Sequence, residues 1–241
     1  MSTRTTLARH LILLQIRHWS RDALAVWAVL LAGSLAVAFA LSLFGPLRSS
    51  IWEQGAHIVR WAALIMGAAL VMDAMPRQIR HGGTRRGFMV RTGTAALVIT
   101  GVGGVLMAAG FLIENAVYRI TGWEQGLSRP HLFTEPTQSG MVAAEFWLLL
   151  TAWLLAGAAF ASGYLRRGIA GALGAGIPAA AVAVPAELAA GTYLLPVVEA
   201  VTSVGAPPAP VTALLCVLGF GVALTAVWMM LRDVALSPSP A

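Results

Sequence analysis

The chain has 241 residues, of which 58% are hydrophobic and only 11% charged, and its mean hydropathy is +0.78. A soluble domain of this size carries about twice that charged fraction, so the composition excludes a soluble globular protein and predicts an all-α, polytopic membrane protein with about six spans. The net charge of +6 comes from arginine alone, with no lysine. These arginines gather in alternate loops, which marks membrane topology and speaks against a nucleic-acid partner.

Residues 1–22 carry Arg4, Arg9, Arg17, Arg21, His10 and His18. At 100° per residue, Arg9, His10, Arg17, Ser20 and Arg21 share an arc of about 120°, broken only by Leu13, while Leu7, Leu11, Ile12, Leu14, Ile16 and Trp19 cover the rest. This predicts an amphipathic helix on the inner membrane surface; an ordinary positively charged flank has the same composition. Residues 23–44 form the first span, rising about 33 Å across a hydrocarbon core of about 30 Å. Ala38-Phe39-Ala40 resembles a signal-peptidase site, but the apolar run continues past it through Phe44, which favours an uncleaved anchor. Residues 45–57 read as a short loop and 58–75 as the second span.

A basic stretch follows, Asp73–Thr94 in sequence DAMPRQIRHGGTRRGFMVRTGT. Each arginine at the bilayer centre costs roughly 2.5–3.5 kcal/mol. Arg77, Arg80, Arg85, Arg86 and Arg91 together therefore keep this segment out of the hydrocarbon. Its punctuation is specific. Pro76 suits the first position of a short helix. Gly82-Gly83 can close that helix with a left-handed residue, and the Thr84 hydroxyl can cap the next one. The prediction is a short basic helix, a glycine elbow and a new helix running into the membrane. Asp73 is either a partner for Arg77 or Arg80 or a solvated helix end.

Residues 93–113 form the third span, with Gly101, Gly103, Gly104, Ala108 and Gly110 at spacings that let helices approach closely in lipid. Residues 114–140 are the longest polar loop. The fourth span is 141–165, Arg166-Arg167 makes a minimal turn, and the fifth span is 168–186. Residues 188–198 are apolar but too short to cross, so 187–210 is expected to form a re-entrant or interfacial hairpin on the outer side. Residues 211–231 are the sixth span and 232–241 a cytoplasmic tail. Cys216, the only cysteine, excludes intrachain disulfides and cysteine-based zinc sites.

With the N-terminus inside, twelve arginines fall in inner segments and four, Arg48, Arg60, Arg119 and Arg129, in outer ones. That positive-inside bias predicts both termini in the cytoplasm. Glu114, Glu145 and Glu187 lie near outer helix ends, either lining a translocation vestibule or as solvated interfacial carboxylates. Trp27, Trp52, Trp61, Trp123, Trp147 and Trp228 mostly flank spans and read as interfacial anchors.

Catalytic constellations are lacking. No glycine-rich loop ends in Gly-Lys-Ser/Thr, so the chain has no nucleotide site of the P-loop kind. A six-span intramembrane serine protease needs a membrane serine and a membrane histidine. Ser162 exists, but His10, His18, His57, His81 and His131 all fall in loops or flanks. Paired acidic residues within a span, as an intramembrane metal or aspartyl site requires, are also missing. No catalytic, cofactor or metal site is expected on this chain.

The set of features resembles the permease subunit of type-2 ABC exporters, in particular small bacterial permeases encoded beside a separate ATPase. These features are six spans, inside termini, an N-terminal interfacial helix, a basic helix-elbow-helix between spans two and three and a re-entrant piece between spans five and six. The local match is His81-Gly82-Gly83-Thr84-Arg85-Arg86-Gly87-Phe88, similar to the glycine-x-Ser/Thr-Arg-Arg-x-x-aromatic stretch of such permeases. The very short Arg166-Arg167 turn departs from the pattern. The resemblance implies that two permease subunits pair in the bacterial plasma membrane and dock on cytoplasmic ATPases that hold ATP-Mg. Arg77, Arg80, His81, Gly82, Gly83, Thr84, Arg85, Arg86 and Phe88, within 76–92, would form the coupling element. The substrate class would be a peptide, an antibiotic or a lipid-like molecule. A non-transporting immunity or sensor subunit and a membrane-embedded enzyme are the alternatives; a neighbouring ATPase gene discriminates the first reading from both.

Overall fold

The computed structural model describes residues 3–192 and 208–232, and the ordered elements among them are all helices. Helix α1 (Thr3–Ser42) is continuous. It passes without a break through residue 23, where an interfacial helix was expected to give way to the first span. Of the polar arc expected there, Arg21 is exposed and the other side chains lie outside the described residues.

Helix α2 (Ile51–Ala69) begins earlier than the expected residue 58. Ser50 explains the start: its hydroxyl accepts the Glu53 amide at 3.1 Å, a side-chain N-cap. One π-helical turn, Leu70–Ala74, then carries the chain into α3 (Met75–Arg80). Helix α4 (Arg85–Thr121) overruns the expected 93–113 at both ends. Helix α5 (Ser139–Gly174) contains the expected fourth span but leaves helical geometry at Arg167 (φ −144°, ψ 23°) and Gly168 (φ 61°, ψ −144°). The Gly168 conformation is one that only glycine adopts at low cost. The chain turns back there. Gly163 and Gly171 meet backbone to backbone, and a Cβ on either would collide with the other's carbonyl. Helices α6 (Gly176–Ala190) and α7 (Ala209–Leu231) complete the described chain.

Among the described residues five helices are long and apolar enough to cross a membrane: Leu24–Ser42, Ile51–Arg80, Arg85–Thr121, Ser139–Gly174 and Pro210–Leu231. That is the build of a multi-pass membrane protein. The expected fifth span is not one of them, because α6 is apolar but too short alone. Of the expected re-entrant segment, 187–190 belong to α6, whereas 193–207 and the tail from residue 233 lie outside the described residues.

The chain divides into two compact units. The first takes residues through Arg60, Thr94–Leu150 and Ala190–Thr192. Here α4 is the element the others lean on. Indole N–H groups donate to its carbonyls from α1 (Trp27 to Leu106, 2.5 Å), α2 (Trp52 to Met107, 3.1 Å) and α5 (Trp147 to Leu97, 3.0 Å). In lipid an indole N–H needs such a partner. These tryptophans therefore fix helices to one another, beyond the interfacial anchoring expected of them. Gly110 makes the room: a Cβ there would strike the Trp52 ring, which is buried and edge-on to Trp27 at 6.4 Å. Gly104 does the same for the α5 backbone at Ala143.

The second unit takes Trp61–Gly93, Thr151–Ala189 and the described residues from Pro208 onward. Gly67 of α2 and Gly157 of α5 form a reciprocal crossing, each against a carbonyl of the other helix, at Leu154 and Leu64. Gly219 brings α7 against the Ala181 carbonyl of α6. These are the close approaches that small residues permit in membranes.

Candidate functional site

The basic elbow lies within the second unit and is built by local rules. Pro76 sits in the first turn of α3. At the other end, Gly82 takes φ 78°. The Gly82 amide donates to the Ile79 carbonyl at 3.0 Å and the Gly83 amide to the Gln78 carbonyl at 2.9 Å. That is a Schellman closure with glycine in the left-handed position. A side chain on Gly83 would collide with Gln78. Thr84 then caps α4, its hydroxyl accepting the Gly87 amide at 3.0 Å. Gln78 braces the corner: with its carboxamide oxygen turned inward it accepts the Phe88 amide at 3.2 Å and the Arg91 guanidinium. Phe88 and Met75 are buried beneath. The turn is thus a fixed corner.

The arginines of the elbow divide into two groups. Arg85 donates to the Arg232 carbonyl at 2.7 Å, at the C-terminal end of α7. Arg166, at the end of the first limb of α5, donates to the Met229 carbonyl at 3.3 Å. The two cations meet the negative end of the α7 dipole and its unsatisfied carbonyls. Arg77, Arg80, His81 and Arg86 are exposed. Arg77 faces Asp73 one turn earlier at 3.9 Å, both well exposed, so the pair adds little stability. His81 Nδ1 donates to the Arg77 carbonyl at 3.0 Å. The exposed face of the corner is therefore cationic and its buried face is the scaffold.

The three glutamates expected near outer helix ends, Glu114, Glu145 and Glu187, are all buried. Glu114, in α4, reaches the start of α2 and accepts four hydrogen bonds. They come from the Ile51 and Trp52 amides (2.9 and 2.8 Å), the Ser50 hydroxyl (2.5 Å) and the Gln125 carboxamide (2.7 Å). An anion at a helix N-terminus is favoured by the same amides and dipole. Glu187, in α6, accepts the Trp153 indole N–H at 2.9 Å and is fully buried in the second unit.

Glu145, at the start of α5, belongs to a cluster in the first unit that the sequence reading did not assemble. His131 Nδ1 lies 2.7 Å from Glu145 Oε1, and the Leu132 amide donates to Glu145 Oε2 at 2.8 Å. His131 Nε2 lies 3.4 Å from Glu53 Oε1, and the Ser128 amide donates to Glu53 Oε2 at 2.7 Å. The three side chains are at most 3% exposed. The imidazole stacks on Phe133, which packs on Phe111 of α4. Burial alone would lower the His131 pKa, but the carboxylates of Glu145 and Glu53 outweigh it and hold the value up at about 9. His131 is therefore an imidazolium at neutral pH. The missed signal was Ser50-Ile51-Trp52-Glu53, the Ser-x-x-Glu spacing of a capping box. It starts α2 at Ile51 and puts Glu53 on its first turn.

Ser162, the serine considered for nucleophilic chemistry, turns its hydroxyl onto the Ala158 carbonyl of its own helix at 2.6 Å. Among the described residues no group of three or more His, Cys, Asp or Glu side chains is arranged to hold a metal ion. Comparison with protein-family models, curated proteins and solved structures finds no match.

Proposed function

We propose that this chain is the membrane permease subunit of an ATP-driven exporter of the type-2 ABC class, working with a separate cytoplasmic ATPase that holds ATP-Mg and with a second permease chain. The observation that carries the reading is the elbow. A corner fixed by the Gly82 closure and the Thr84 cap joins two helices long enough to cross a membrane, and it displays Arg77, Arg80, His81 and Arg86. A rigid cationic corner transmits a push from a soluble partner into both helices, where a flexible loop would absorb it.

In this reading the limb 168–190 completes six spans and both termini face the cytoplasm of a bacterial plasma membrane. Two observations support that topology. Twelve of the sixteen arginines fall on its inner side. Arg85 and Arg166 both meet the carbonyl end of α7, as a shared membrane face for the elbow, the Arg166-Arg167 turn and the C-terminus requires. The cargo, a peptide, antibiotic or lipid-like molecule, is named only by class.

Charge reversal tests the coupling role. The double variant Arg80→Glu/Arg86→Glu is expected to reach the membrane at wild-type level and to lose its co-purifying ATPase. Retention of the ATPase at wild-type yield would remove the elbow from the coupling role.

A further inference from the structure

The sequence places His131 in the longest polar loop, and the permease reading gives it no task. It is nevertheless the most heavily engaged titratable side chain of its loop. Two helices distant in sequence each present one carboxylate to it, Glu53 from the first turn of α2 and Glu145 from the first turns of α5. The same carboxylates also take backbone amides of the loop on either side of it, Ser128 and Leu132. Residues 128–132 of loop 122–138 are thus tied to two helix ends through one imidazole ring and two amides, beside the hydrogen bonds that Glu124, Gln125, Gly126 and Arg129 make elsewhere in the first unit.

We propose that His131 is a proton-operated latch: as an imidazolium bridging Glu53 and Glu145 it pins segment 128–132 of loop 122–138 to the ends of α2 and α5, and loss of its Nε2 proton releases that segment. The atoms decide which proton leaves. Nδ1–H is shared with Glu145 Oε1 at 2.7 Å. Nε2–H faces Glu53 Oε1 at the longer 3.4 Å. When the Nε2 proton passes to solvent, a nitrogen lone pair confronts the Glu53 carboxylate, and attraction becomes repulsion between two buried acceptors. An unfavourable buried contact of this kind works against the ties that remain, the Nδ1–H bond to Glu145 and the Ser128 and Leu132 amide bonds, and lets the segment open.

The other charged groups around the ring leave this step intact. Arg129 lies within Coulombic reach of Glu53 and donates to the Thr192 carbonyl at 3.1 Å. Glu114, the buried carboxylate of α4, is engaged with the start of α2. The face of α4 against the loop is aromatic, through Phe111 on Phe133.

The sign follows from the raised pKa. The stabilising contribution is fully present below the unfolded value near 6.5 and is lost as pH rises through about 9. The latch is therefore closed at neutral pH and opens on the alkaline side.

The test uses the full chain in mild detergent. A protease active from pH 7 to 10 is applied, its rate at each pH normalised to an unstructured peptide, and scission within 122–138 is followed by mass spectrometry. Wild type is expected to be cut about tenfold faster at pH 10 than at pH 7, with a midpoint near 9. His131→Gln, which keeps shape but never carries charge, is expected to be cut rapidly at pH 7 with no pH dependence. Glu53→Gln, which keeps the Glu145 partner, is expected to move the midpoint down by about one pH unit. A wild-type rate that is flat from pH 7 to 10 would overturn the proposal. So would a Glu53→Gln profile superimposed on wild type, and that comparison decides the matter even where His131→Gln does not fold.

Discussion

The Arg85 guanidinium donates to the Arg232 carbonyl at 2.7 Å, joining the first residue of α4 to the end of α7. Its neighbour Arg86 is exposed. Adjacent residues of one arginine pair are thus placed differently, one bound to the scaffold and the other exposed. Arg85→Glu places a carboxylate against carbonyls at the negative end of a helix. It should lower the thermal stability of the detergent-solubilised protein by roughly 2 kcal/mol, the scale of a charge-assisted hydrogen bond. Arg86→Glu should leave the unfolding temperature within error of wild type, and equal losses in the two variants would contradict the division.

Glu114 should behave as a structural anion. Its four donors include the Ile51 and Trp52 amides and the Ser50 hydroxyl at the head of α2. Glu114→Ala leaves these groups without an acceptor and should destabilise by on the order of 3 kcal/mol or more. Glu114→Gln, which keeps one acceptor oxygen, should cost less. The comparison is made by thermal unfolding in one detergent, and an Ala variant as stable as wild type would remove Glu114 from this role.

The glycine crossing of α2 and α5 has no slack. A methyl on Gly67 meets the Leu154 carbonyl and one on Gly157 meets the Leu64 carbonyl. Either Gly→Ala change should cost about 1–3 kcal/mol through forced helix separation. Gly33, whose Cβ position is open, should tolerate alanine. Unfolding midpoints of the three variants test this ordering.

The pH dependence of global stability is separable from loop cleavage. With His131 held at about 9 against an unfolded value of 6.5, its proton contributes on the order of 3 kcal/mol at neutral pH. The stability gap between wild type and His131→Gln should be largest below pH 6.5 and shrink as pH rises through 9. A constant gap over that range would mean the side chain stabilises by shape alone.

What the sequence disclosed followed the range of the forces involved. The elbow was legible because its determinants are neighbours: Gly82, Gly83 and Thr84 act within one turn of their own positions. The reversal after Arg166 fell within a residue of its expected place, because Gly168 is the residue able to make it. The start of α2 was misplaced because Glu53, Gln54 and His57 read as a polar loop. They belong to a helix whose Glu53 accepts the Ser128 amide and faces His131, both remote in sequence and close only in the fold. Glu114 read as a loop residue for the same reason: three of its four donors, Ser50, Ile51 and Trp52, are remote in sequence, and α4 continues past it to Thr121. Pair chemistry between distant segments leaves no local pattern, and the His131 cluster consists of it entirely.

Purification decides whether this chain couples to a separate ATPase, as proposed. The tagged protein is taken from its native host in mild detergent and its partners are identified by mass spectrometry with quantified stoichiometry. If the proposal holds, one ABC-type ATPase chain is recovered per copy of this chain, with ATPase activity in the complex. Recovery of this chain alone, or with a partner that has no nucleotide site, would contradict it and leave the basic elbow as a topology signal only.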